Sequence, residues 1–116
     1  MAREITKEQL WEMMQKGEDF KLVDALSRDQ YEEKHIRGAL SMPSAEVLQK
    51  AKSMLEKDDR IVVYCANPEC EASKVAAGKL EDMGYENVSH YPGGIEEWSS
   101  AGMPVEEGAP ESGAAQ

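Results

Sequence analysis

Cysteine is scarce in this 116-residue chain, aromatic side chains make up only 6% of it, and no apolar run approaches the roughly 18 residues that a membrane span needs. Two cysteines are too few for the disulfide framework of a small secreted domain, so a reducing, cytoplasmic setting is expected. The residues after Met1 are charged and polar rather than an apolar signal segment, and no membrane partner is expected. Positive charge is also in short supply. Thirteen Lys and Arg stand against 23 Asp and Glu, a formal charge of -10, which repels phosphate backbones and argues against a nucleic-acid partner. Most of that charge reads as solvated surface. The length leaves room for one core, and 41% hydrophobic residues suffice to build it without disulfides.

Thr6-Lys7-Glu8-Gln9 has the form of a capping box, and Leu10, Met13 and Met14 follow at helical spacing, which predicts a first helix. Lys16 to Asp19 breaks it, and Phe20 to Asp24 reads as a short strand ending in a carboxylate. Ser27 to Gln30 is a second capping box, opening a short helix through Lys34; Ala39 to Met42 is a brief extended piece stopped by Pro43. Ser44 is predicted to cap a third helix whose Val47, Leu48, Ala51 and Leu55 turn one apolar stripe to a sheet. Ile61 to Tyr64, apolar on both faces, has the pattern of a central parallel strand covered on each side. A fourth helix carries Ala76, Ala77, Leu80 and Met83, with Gly84 at its C-terminal end. Asn87 to Tyr91 supplies another strand, Pro92-Gly93-Gly94 a turn, and Ile95 to Trp98 the start of a last helix. From Glu106 onward no large apolar residue occurs, so the expected division is a domain over 1–105 and a disordered tail over 106–116.

Strands alternating with helices imply a parallel sheet, and ligands of such sheets sit beyond the carboxyl ends of the strands. Cys65 stands there. Facing the start of the next helix, it meets unpaired backbone N–H groups and the positive end of a helix dipole, both of which favour the thiolate. The same N–H groups suit a persulfide or an oxyanion. The competing reading is a buried, unreactive cysteine packed as a small hydrophobe. Cys70 has three readings: a resolving thiol for an intermediate on Cys65, a sulfur relay, or a space-filler at the helix start. A metal is not expected, because two cysteines at this spacing lack a second ligand pair.

Four stretches resemble the rhodanese-like family in its order: LVDALSRDQYEEKHIRGALSMP (22–43), IVVYC (61–65), ASKVAAGKLEDMGY (72–85) and NVSHYPGGIEEWSSAGMPVE (87–106). HIRGA is similar to the family's His-Ile-x-Gly-Ala signature, and GGIEEW with GMPV to its closing pattern. The resemblance implies an α/β, three-layer fold with a five-stranded parallel sheet flanked by helices. It places Cys65 as the cysteine that takes sulfane sulfur from a donor, holds it as a persulfide and passes it to a thiol acceptor, without a cofactor.

The chain departs from that family at the loop. The common loop ends in an arginine before a serine; here Cys65-Ala66-Asn67-Pro68-Glu69-Cys70-Glu71-Ala72 precedes Ser73, two residues longer and without a basic side chain. Glu69 and Glu71 place carboxylates near the thiol, each opposing a thiolate by roughly 1 to 3 kcal/mol if within about 6 Å. Thiosulfate, a dianion, is therefore expected to be a poor donor, and a neutral or protein-borne persulfide a better one. The arginine that often follows the early Asp-x pair is replaced by Leu26, so any ion pair it would make with Asp24 or a neighbour is missing. A phosphatase reading fails on the same missing arginine. His35 and His90 read as structural, Trp11, Ile95 and Trp98 as core or rim, and Gly93 and Gly94 as turn residues. Besides the sulfurtransferase or persulfide carrier, two alternatives stand: a thiol redox module cycling Cys65 and Cys70 through a disulfide, and a non-catalytic binding domain.

Overall fold

The computed structural model describes residues 3–108. Along the chain run β1 (Arg3–Glu4), α1 (Lys7–Gln15), β2 (Lys21–Asp24), α2 (Arg28–Glu33), β3 (His35–Ile36), β4 (Leu40–Ser41) and α3 (Val47–Met54). They are followed by β5 (Arg60–Tyr64), α4 (Ala72–Asp82), β6 (Asn87–Tyr91), α5 (Gly94–Ser100) and β7 (Val105–Glu106). Five strands form one parallel sheet in the order β1-β6-β5-β2-β4, so the Ile61–Tyr64 run lies at its centre as its composition predicts.

Strand alternation divides the core in two. Leu22, Val62, Tyr64 and Tyr91 face a layer holding Leu10 of α1, Tyr31 of α2 and Trp98 of α5. Val23, Ile61, Val63 and Val88 face Val47 and Ala51 of α3 and Ala76, Ala77 and Leu80 of α4. The Thr6 box closes as read: its hydroxyl accepts from the Gln9 N–H at 3.0 Å, and the Gln9 side chain accepts from the Thr6 N–H at 2.8 Å. Ser27 caps α2 by accepting from the Gln30 N–H at 3.3 Å. Gly84, with φ +100°, follows α4 in the left-handed conformation that ends helices.

Three expectations need correction. Ser44 caps no helix; Ser44–Glu46 forms a 3-10 turn leading into α3, because Pro43 fixes the backbone one residue earlier. Leu48 is 54% exposed, since α3 buries Val47 and Ala51 against the sheet and turns Leu48 away. The paired chain runs past the expected boundary at 105: Val105–Glu106 pairs antiparallel with His35–Ile36, and the Gly108 N–H reaches the Glu32 carbonyl at 2.7 Å. The remainder of the expected tail, 109–116, lies outside the described residues. His35 stacks on Tyr31 with ring centroids 3.8 Å apart, and its Nδ1 lies 2.8 Å from the Tyr31 carbonyl, which makes it a brace for this corner. Trp98 donates from Nε1 to the Pro104 carbonyl at 2.8 Å and binds the closing segment to α5.

Candidate active site

The loop between β5 and α4 is curled by one side chain. Asn67 Oδ1 accepts from the N–H groups of Glu69 and Cys70 at 3.0 and 3.1 Å, the short-range turn chemistry of asparagine. The Cys70 N–H also reaches the Asn67 carbonyl at 3.1 Å, and Asn67 Nδ2 donates to Glu96 at 3.0 Å. From the other side the start of α5 holds the loop backbone. Ile95 N–H donates to the Cys65 carbonyl at 2.9 Å and Glu96 N–H to the Ala66 carbonyl at 3.0 Å. Gly94 permits this approach, with φ +71° and no room for a Cβ. Pro68, Glu69 and Glu71 are exposed; Ala66, Asn67, Cys70 and Ala72 are half-buried; Cys65 and Ser73 are buried.

Cys65 is 2% exposed. Its thiol donates to the Cys70 carbonyl at 3.4 Å, and its Sγ lies 3.2 Å from Ser73 Oγ, which is in turn 2.7 Å from His90 Nε2. A thiol, a hydroxyl and an imidazole thus form a buried chain. Burial holds His90 below the ordinary imidazole value, so near neutral pH it is uncharged and able to take a proton through Ser73. His90, read from sequence as structural, belongs to the site. The signal was present in the strand period: His90 sits two residues after Val88 and so faces the same layer, where α4 begins with Ser73.

The expectation of an activated Cys65 thiolate is overturned in part. The Ser73 N–H and hydroxyl do favour the thiolate, but burial and a hydrogen bond with the Cys70 thiol push Cys65 up from its ordinary value. Cys70 behaves oppositely. Burial pushes it up, yet the Ala66 N–H, the Cys65 thiol and the Ala72 N–H together hold it below the ordinary value, against the charge of Asp24. The exposed Glu69 and Glu71 are screened by water, so the expected opposition of their carboxylates to a thiolate is weakened; the carboxylate that bears on Cys70 from inside is Asp24.

Asp24 is fully buried at the end of β2, in register with Tyr64. In place of an arginine, the Leu26 N–H and the Tyr64 hydroxyl each donate to its carboxylate at 2.8 Å. Burial nevertheless raises its pKa from 3.8 to about 6. The folded chain therefore binds this proton more tightly than the unfolded chain; the stabilisation is complete below 3.8 and is lost as pH rises through about 6. The gap is worth about 3 kcal/mol. Relative to Asp24→Asn, which cannot titrate, the wild type is expected to lose up to about 3 kcal/mol of stability between about pH 4 and pH 7. Urea unfolding of both proteins across that range checks this, and parallel pH curves would contradict it.

Beside the loop lies a cavity of about 430 Å³, lined by Leu26, Ser27, Pro43, Ala66, Cys70 and Ala72 among others. Among the described residues, none that lines it is Lys or Arg. Nor do the described residues contain a group of three or more His, Cys, Asp or Glu side chains placed to hold a metal ion, and no helix among them is long and apolar enough to cross a membrane.

The model of the rhodanese-like domain matches residues 6–101. The chain is 37% identical over 106 residues to an HTH-type transcriptional regulator of Mycobacterium tuberculosis, covering 91% of this chain and 46% of the regulator, so it spans about half of that relative's length. It is 34% identical over 104 residues to the thiosulfate sulfurtransferase GlpE of Haemophilus influenzae, covering 90% of this chain and 94% of that protein. Its fold superimposes on the solution structure of the rhodanese-like domain of an Anabaena protein with a TM-score of 0.83 at 33% identity, over 92% of this chain and 80% of that one.

Proposed function

The chain belongs to the rhodanese-like family, and from that premise we propose that it is a sulfurtransferase that carries sulfane sulfur as a persulfide on Cys65. The observation that carries this reading is the chain Cys65–Ser73–His90 at the end of the central strand. Cys65 gives its proton through the Ser73 hydroxyl to His90, and the thiolate attacks the outer sulfur of a donor persulfide. The donor leaves as a thiolate, and the Ser73 N–H at the start of α4 lies beside Cys65. An acceptor thiolate then attacks that outer sulfur and returns Cys65 to its thiol with the proton from His90. No cofactor takes part. Both cysteines are free in the structure, and a reducing cytoplasm would keep them so.

The relatives named thiosulfate sulfurtransferase suggest thiosulfate as donor. The cavity argues for another choice, because it offers a dianion no cation, and the chain's formal charge is -10. A thiol persulfide, small or protein-borne, fits the apolar walls and the hydroxyl of Ser27. The test is steady-state sulfur transfer to a thiol acceptor with glutathione persulfide or thiosulfate as donor. The persulfide is expected to exceed thiosulfate in kcat/KM by at least about tenfold at low salt. Equal values would overturn the donor assignment, and no transfer from either donor above the protein-free control would overturn the function.

A further inference from the structure

The Cys65 thiol donates to the Cys70 carbonyl at 3.4 Å, so the two cysteines lie side by side in the curled loop. Cys70 lines the cavity beside the loop and is half-buried; Cys65 is buried. The Asn67 bonds that curl the loop hold Cys70 in this place from its own backbone N–H. A resting carrier needs no second cysteine beside the first.

Resting on the sulfur-carrier reading above, we propose a second activity: Cys70 discharges the Cys65 persulfide, releasing its outer sulfur as hydrosulfide and closing a Cys65–Cys70 disulfide. The Cys70 thiolate attacks the inner sulfur of the persulfide. A bond forms between the two Sγ atoms, the bond to the outer sulfur breaks, and hydrosulfide leaves with the electron pair. The outer sulfur is reduced to sulfide and the two cysteines are oxidised to a disulfide, so the persulfide itself is the oxidant. A dithiol reductant then opens the disulfide by exchange, becoming a disulfide itself and restoring both thiols. Over one cycle a thiol persulfide and a dithiol yield a thiol, sulfide and the oxidised dithiol.

Two features direct the attack to the inner sulfur. The Ala66 and Ala72 N–H groups, which remain in place when Cys65 carries the persulfide, favour ionised Cys70, which makes it the ready nucleophile. Attack on the outer sulfur would expel Cys65 as a thiolate from a site where burial disfavours that charge, whereas attack on the inner sulfur expels hydrosulfide, the more acidic leaving sulfur, which departs faster.

The experiment treats wild type, Cys70→Ala and Cys70→Ser with one equivalent of glutathione persulfide without reductant. Intact mass and released sulfide are followed over time. In wild type, loss of the persulfide should match formation of the intramolecular disulfide and of about one equivalent of sulfide, and in both variants the Cys65 persulfide should live at least about tenfold longer. Variants that load Cys65 but lose the sulfur as fast as wild type, or a wild type that loads and forms no disulfide, would overturn the discharge while leaving the carrier reading intact. Failure of all three proteins to load Cys65 would overturn the carrier reading, and the discharge with it.

Discussion

Cys65→Ser is expected to lower sulfur transfer by at least about a thousandfold while leaving the fold in place. The hydroxyl is nearly the size of the thiol and keeps hydrogen bonds to Ser73 and to the Cys70 carbonyl, so packing in the buried site is preserved. What is lost is a nucleophile that ionises near neutral pH; the Ser73–His90 chain cannot make an alkoxide of comparable reach toward sulfur. Direct reaction of Cys70 with donor is separated by the double variant Cys65→Ser with Cys70→Ala, which should match the single variant. Transfer rates within tenfold of wild type, with a native circular dichroism spectrum, would contradict the role given to Cys65.

The largest effect on stability is expected at Gly94. A Cβ added there would stand 2.5 Å from the Ala66 carbonyl carbon and oxygen and from the Cys65 carbonyl oxygen, all backbone atoms that no side-chain rotation can relieve. The φ of +71° adds about 1 kcal/mol or more for any residue with a Cβ. The hydrogen bonds from Ile95 and Glu96 to those same carbonyls would lengthen or break, at about 1 kcal/mol each. Gly94→Ala is therefore expected to destabilise the domain by about 3 to 5 kcal/mol, lowering Tm by about 15 °C or more. Gly38→Ala provides the comparison, since Gly38 also has positive φ, +85°, but meets nothing within 4 Å; it should cost about 1 kcal/mol. Equal Tm values for the two variants would show that the close approach of α5 to the Cys65 loop does not matter.

The elements with a strong period were legible from sequence. The Thr6 and Ser27 caps, the apolar Ile61–Tyr64 strand and the Gly84 stop each carry a local physical signal that survives into the fold. The strands β1, β3 and β7 have two residues each, too few to show alternation, and exist only because a partner strand lies alongside. Within the site, chain order placed Cys65 at the junction of β5 and α4 but did not show how the loop folds back. The direction of Glu69 and Glu71 and the bond between the Cys65 thiol and the Cys70 carbonyl depend on the bonds that Asn67 makes to the loop backbone. His90 and Asp24 are separated from Cys65 by 25 and 41 positions, and only the pairing of β6, β5 and β2 brings all three to one end of the sheet. The sign of the Cys65 shift was missed because burial, a tertiary property, outweighs the helix start, a local one.

Identification of the sulfur-bearing residue tests the role of Cys65 most directly. Wild-type protein is mixed with one equivalent of glutathione persulfide, alkylated within seconds and digested with trypsin. Cys65 and Cys70 fall in the same peptide, Ile61 to Lys74, so fragment ions must separate them. The expected result is one added sulfur on Cys65 at the earliest time. An added sulfur on Cys70 alone, or on neither cysteine, would contradict it.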